Sequence, residues 1–427
     1  MLQAASCGET PTTAPAPAAK TDEALRLYAR GDYAAVVRLL QGPYRHGQAR
    51  IQERLLLARA LLHLHRTSQA QAVLSSVLES DAENPEANVL MGQLLHQQGN
   101  HAQAVKHLRC AYRLRRDPAT AAMLGRCHYA LENVSQAKAY LKAALKEDIR
   151  DPDIGFLLGL IHLRHGQGAL AEKYLLLARD AGMTGPELHR LLGRAYLLQH
   201  KELGPVLLRS LPAGANPGDV IDGQVVLGPV PGVDRRYRVC TRYSALYEAL
   251  QLLRARPDDP DGLYLAAAGW LAAGQYSLAR THLLNLARRE GPTRRVLRLE
   301  ARLQIALGDL DALDKCLRTA LDKRVFTPRQ AACLYYQAAT ALRAEGKTQQ
   351  ALQLLQRADR LHPTSEPILR ALANLALTTG QSELARRCYR RLVELFPDAS
   401  DLDELRNTLK VLEAEKVSST TRKGVRT

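Results

Sequence analysis

The chain has 427 residues, too many for one compact core but natural for an architecture that grows by adding units. Its formal charge of +16, from 59 Lys and Arg against 43 Asp and Glu, favours acidic peptides, nucleic acid or an anionic membrane surface as partners. Only 5% of residues are aromatic and 20 are proline, which suits helices packed through small side chains and excludes a β sandwich; no run of 18 apolar residues could cross a membrane.

Residues 1–20, MLQAASCGETPTTAPAPAAK, are rich in Ala, Pro and Thr and are expected to form a disordered tether. Within them Ala4-Ala5-Ser6-Cys7 resembles the cleavage box of bacterial lipoproteins, whose cysteine becomes the lipidated first residue. The match is incomplete, because Ala4 stands where leucine is usual and no basic or apolar segment precedes it. One expectation is therefore a precursor that begins upstream, with Cys7 lipidated on the periplasmic side of a bacterial envelope. The other is an ordinary cytoplasmic tail with one cysteine.

From Thr21 a helical pattern begins, with Gly31-Asp32-Tyr33 as its first interhelical turn, and four regular segments follow at 51–84, 85–117, 118–151 and 152–185. Small residues recur in register at Ala58, Gly92, Gly125, Gly159 and Gly193, and again at Ala70, Ala104, Ala137 and Ala171, each 33 or 34 residues from the last. Prolines 85, 118, 152 and 186 stand where a helix opens and a missing N–H costs nothing. This 34-residue helix–turn–helix period resembles the tetratricopeptide repeat (TPR) family. The resemblance implies an all-α fold, a right-handed superhelical α-solenoid of about ten units, with an N-terminal array over 21–202.

The sixth segment breaks down after His200. Residues 203–241 hold five prolines and β-branched pairs (Val220-Ile221, Val225-Val226) around Asp222-Gly223, which predicts a Pro/Gly-rich insertion or linker, with a short hairpin at the Asp-Gly turn. Residues 243–257 read as the displaced second helix of that repeat. A C-terminal array over 242–399 follows, with turn glycines 274, 308, 346 and 380, then a capping helix at 400–416 and a disordered basic tail at 417–427.

The family geometry places one face of each first helix on the concave side. Its positions here are Arg59, Gln93, Arg126, Tyr129, Phe156, Arg190, Arg194, Tyr264, Arg295, Arg298, Arg302, Tyr336, Arg343, Arg370 and Asn374. Guanidinium forks bind carboxylates bidentately and amides bond peptide groups, so this set suits an extended or acidic protein segment. Arg295, Arg298 and Arg302 form its densest group. Arg370 and Asn374 resemble the basic-plus-Asn pair of chaperone-binding clamps, but the other units do not repeat that pattern.

No nucleotide-binding, hydrolase or metalloprotease motif is present, and the pairs His63/His65 and His162/His165 have no acidic or cysteine companion in sequence. The seven cysteines form no C-x-x-C pair. Neither catalysis, cofactor nor metal is expected. The reading is a non-catalytic protein-binding scaffold, with non-specific nucleic-acid binding or service as an accessory subunit of an enzyme complex as alternatives.

Overall fold

The computed structural model describes residues 17–145, 151–212 and 214–424, so Cys7 lies outside the described residues. The chain divides into two units after Thr184. The first holds five helix pairs: α1 (Pro17–Ala29) and α2 (Tyr33–Arg45), α3 (Ile51–His63) and α4 (Thr67–Ser80), α5 (Pro85–Gln97) and α6 (His101–Leu114), α7 (Pro118–Ala130) and α8 (Val134–Leu145), α9 (Pro152–Arg164) and α10 (Gly168–Asp180). Helix α1 thus opens at Pro17, four residues inside the predicted tether.

The starts follow from local chemistry. Asn84, Asp117 and Asp151 cap α5, α7 and α9 by accepting backbone N–H bonds, and each is followed by a proline at the first helical position. The turn between paired helices needs one residue with positive φ, and it returns 33 or 34 residues apart at Gly31, His65, Gly99, Glu132 and Gly166. Glycine takes that conformation freely, whereas His65 and Glu132 hold it at a cost of roughly 1 kcal/mol each.

The periodic small residues are crossing points. A Cβ placed on Gly92, Gly125 or Gly159 would lie 2.5–2.6 Å from the Cγ of Leu108, Leu141 or Leu175 on the partner helix. Each leucine is fully buried. First helices also pack on the first helix of the next pair, α3 on α5, α5 on α7 and α7 on α9, so the core runs from repeat to repeat.

The second unit opens with α11 (Pro186–Leu197), which packs against α12 (Ala245–Ala255); His189 Nδ1 bonds Glu248 Oε2 across the pair at 2.6 Å. The insertion therefore sits between the two helices of one repeat. It holds more than the predicted hairpin. Strands β1 (Val206–Ser210), β2 (Val220–Ile221), β3 (Gln224–Pro229) and β4 (Arg236–Cys240) form an antiparallel sheet ordered β1-β4-β3-β2. Asp222 and Gly223, both at positive φ, make the β2–β3 turn, while Val226, Tyr237, Val239 and Leu211 bury against one another.

Four pairs and a final helix complete this unit: α13 (Pro260–Ala272) and α14 (Tyr276–Glu290), α15 (Arg294–Leu307) and α16 (Leu310–Asp322), α17 (Pro328–Ala344) and α18 (Thr348–Leu361), α19 (Glu366–Thr378) and α20 (Ser382–Leu395), and α21 (Leu402–Gly424). The sheet is tied to the α13–α14 turn, where Gln275 Nε2 donates to the Leu227 carbonyl at 2.7 Å. Leu405 and Leu412 of α21 are buried, as a cap requires. That helix continues to Gly424, through most of the stretch predicted as a disordered tail.

Candidate functional site

Arginine is the commonest charged side chain along the first helices, and five of these arginines, Arg59, Arg126, Arg190, Arg295 and Arg370, are consumed by ion pairs within the fold. Arg59 reaches Glu86 in the first turn of α5 at 2.7 Å. Arg126 reaches Asp151 and Asp153 at the start of α9, at 2.5 and 3.1 Å. Arg190 pairs with Glu187 and with Asp259, the cap of α13, at 2.9 and 2.5 Å. Arg370 grips Asp401 through both guanidinium nitrogens, at 2.6 and 2.8 Å, and also holds Glu366. The device is uniform: a first-helix arginine bonds an acid that opens the next first helix or, for Arg370, precedes the cap. Arg370 is held charged far beyond the usual range, chiefly by the Asp401 bond and then by Glu366.

Arg295 is also ion-paired, but to acids that precede it. It bonds Glu290 and reaches back to Asp261 at 2.6 Å, with its guanidinium 5.6 Å from the centre of the Tyr264 ring. Tyr129 likewise lies under Arg164, at 5.3 Å. Asn374 accepts a bond from the Tyr389 hydroxyl at 2.8 Å. Tyr336 is half-buried against the core of the last repeats, while Arg194 and Arg343 are exposed.

Arg298 and Arg302 are different. With Arg294 they stand at i, i+4 and i+8 on α15, and among the described residues none of the three has an acidic partner. They line a cleft of about 430 Å³. Gln330, Cys333 and Gln337 of α17 face them, Phe326 and Leu334 lie at its base, and His200 and Glu202, beyond α11, complete the wall. Phe326 is 5% exposed and Leu334 7%. The densest group predicted from sequence is thus redrawn: Arg295 leaves it for an ion pair and Arg294 takes its place.

The reason these arginines stay unpaired is written in the next repeat. Helix α17 opens on Thr327-Pro328-Arg329-Gln330, with no acid in its first turn, where α9 and α13 have Asp153 and Asp261. Thr327 and Gln330 instead satisfy each other in a capping box. Three guanidinium groups on one face at a separation of about 6 Å per step then point their donors into solvent.

Models of the tetratricopeptide repeat family match residues 55–119, 122–186 and 342–409. The chain is a tetratricopeptide-repeat protein. Repeats of this family bind proteins, so the chain's coarse function is that of an interaction scaffold with protein partners. No curated protein matches its sequence. Among solved structures, MamA 41-end from Desulfovibrio magneticus RS-1 is similar at 18% identity and a TM-score of 0.36, over 38% of this chain and 93% of that one. MamA AMB-1 is similar at 18% identity and a TM-score of 0.35, over 39% and 93%. No described helix of this TPR protein is long and apolar enough to cross a membrane.

Proposed function

We propose that the chain is a non-catalytic scaffold whose second unit captures an extended, acidic protein segment along α15. The observation that carries this reading is the unpaired trio Arg294, Arg298 and Arg302, gathered along one cleft, in a fold that ties Arg59, Arg126, Arg190, Arg295 and Arg370 of its first helices into ion pairs. Four helical residues advance about 6 Å, close to the roughly 6.6 Å that two residues of an extended strand advance. Carboxylates at alternate positions of an extended segment would therefore meet successive guanidinium groups. Gln330 and Gln337 offer amides to the segment's peptide groups, and the Leu334–Phe326 base suits one apolar side chain.

Single-stranded nucleic acid fits less well. Its capture relies on successive bases stacking on accessible aromatic faces, and of the two rings among the described residues lining this cleft Phe326 is buried, which leaves only the His200 imidazole exposed.

Fluorescence anisotropy tests the reading, with a labelled peptide carrying acids at every second position and a composition-matched peptide carrying them in one block. The alternating peptide should bind more tightly. Arg298→Glu with Arg302→Glu should weaken it by at least tenfold, about 1.4 kcal/mol, without moving the melting temperature. Equal affinity for the double variant would overturn the proposal, as would capture of cellular partners that disappears on nuclease treatment.

A further inference from the structure

The first unit brings together three metal-ligating side chains that lie far apart in sequence. His96 is in the last turn of α5, His101 is the first residue of α6, and Cys127 comes from α7 of the following repeat. His96 Nδ1 lies 3.1 Å from His101 Nδ1 and 3.3 Å from Cys127 Sγ, and all three ligand atoms lie within 4.8 Å of one another. We propose that His96, His101 and Cys127 form a binding site for one zinc(II) ion that staples consecutive repeats.

Two of the three ligand edges are close to what the ion demands, and the third, from His101 to Cys127, lies within 4.8 Å. With Zn–N near 2.05 Å and Zn–S near 2.3 Å, a tetrahedral site has N···N edges of about 3.3 Å and N···S edges of about 3.6 Å. The two short edges here need to open by only about 0.2–0.3 Å. Two imidazole nitrogens and a thiolate are a borderline-soft set that suits zinc, and three protein ligands leave the fourth position to water. Both histidines present Nδ1 inward, so each ligates as the tautomer with its proton on Nε2.

The surroundings favour a neutral, ligand-ready cluster. Burial, then the neighbouring His101 and Arg126, pushes the His96 pKa down, so its ring is free of the extra proton at neutral pH. The positive charge of Arg126 is offset by Asp151 and Asp153. Burial holds the Cys127 thiol up at about 11, so it is protonated before the ion arrives. Binding exchanges the S–H bond for an S–Zn bond and releases that proton to solvent. Other buried histidines of this unit are built differently: His128 stacks on Tyr140 and His162 on Tyr174, with centroids 5.4 and 5.3 Å apart.

The test is a titration of the full chain with zinc alone, against a competing chromophoric chelator. The wild-type chain should hold one zinc more than Cys127→Ser and one more than His101→Gln, while Cys388→Ser and Cys333→Ser should match wild type. Circular dichroism of each variant confirms the fold, and His101, half-buried at a helix start, is replaceable without disturbing the core. Calorimetry in buffers of different ionisation enthalpy should show about one proton released per zinc. Undiminished zinc stoichiometry in both site variants would overturn the proposal, and so would zinc bound without proton release, the mark of surface histidines acting alone.

Discussion

Two glycines on α9 separate a tight crossing that can adjust from one that cannot. A methyl group at Gly159 would lie 2.6 Å from Cγ and Cδ2 of Leu175, the mobile end of a side chain. At Gly155 it would lie 2.7 Å from the Tyr174 carbonyl oxygen and 2.9 Å from the Ala178 nitrogen, both backbone atoms of α10. Comfortable separations are about 3.3–4.0 Å, so either methyl must displace something by about 0.7–1.3 Å. At Gly159 the leucine can turn; at Gly155 the helix pair itself must separate. Overpacking costs roughly 1–3 kcal/mol, and replacing a helical glycine by alanine returns about 1 kcal/mol through propensity. Gly159→Ala should therefore cost roughly 0–1 kcal/mol and Gly155→Ala about 2 kcal/mol. Urea denaturation followed by circular dichroism measures both, and Leu175→Ala added to Gly159→Ala should couple favourably while leaving the Gly155 cost unchanged. Equal destabilisation at the two sites would refute the view that backbone contact, rather than mere proximity, sets the cost.

Stability should fall as the solution is acidified. His107, His128, His162 and His282, with His96, all have pKa values lowered first by burial. Below about pH 6.5 the unfolded chain takes up protons that the native rings refuse, so this contribution is present above that pH and lost beneath it. Melting temperature from pH 8 to 5 checks this, and His128→Phe, which keeps the ring against Tyr140, should flatten the decline; a flat wild-type profile would contradict it. A second change targets the cleft. Thr327→Asp with Arg329→Asp restores acids where α9 carries Asp151 and Asp153, and should draw Arg302 and Arg298 into ion pairs. The alternating acidic peptide should then bind about tenfold more weakly, with melting unchanged or slightly raised; unaltered affinity would show that the arginines are not what the segment meets.

Much of the fold was legible because the repeat prints its packing rules every 33 or 34 residues. Helix starts at Pro85, Pro118, Pro152 and Pro186 lie where the prolines are, and Gly92, Gly125 and Gly159 are the close crossings the spacing demanded. The insertion was legible only in part. Val220-Ile221 and Val225-Val226 flank an Asp-Gly turn and announce a hairpin, but β1 and β4 pair across some thirty residues through Val206↔Cys240, and no local signal encodes such a contact. His96, His101 and Cys127 were missed for the same reason: the cysteine arrives from the next repeat, 31 residues from His96, so no motif window contains the set.

Arginine frequency alone could not separate partner-facing from structural side chains, because both kinds occupy the same helical positions. Arg59, Arg126 and Arg302 each stand ninth in their helix, and Arg190, Arg298 and Arg370 fifth. What distinguishes them is the residue that opens the next first helix or cap. Glu86, Asp153, Asp261 and Asp401 stand ready to neutralise Arg59, Arg126, Arg190 and Arg370. Thr327-Pro328-Arg329-Gln330 offers nothing to Arg298 or Arg302. The relevant signal is thus a pair correlation one repeat apart, readable in sequence once the register is known. An acid-free opening after an arginine-bearing helix leaves charge uncompensated, and uncompensated charge on a rigid helix face is what an acidic partner can use.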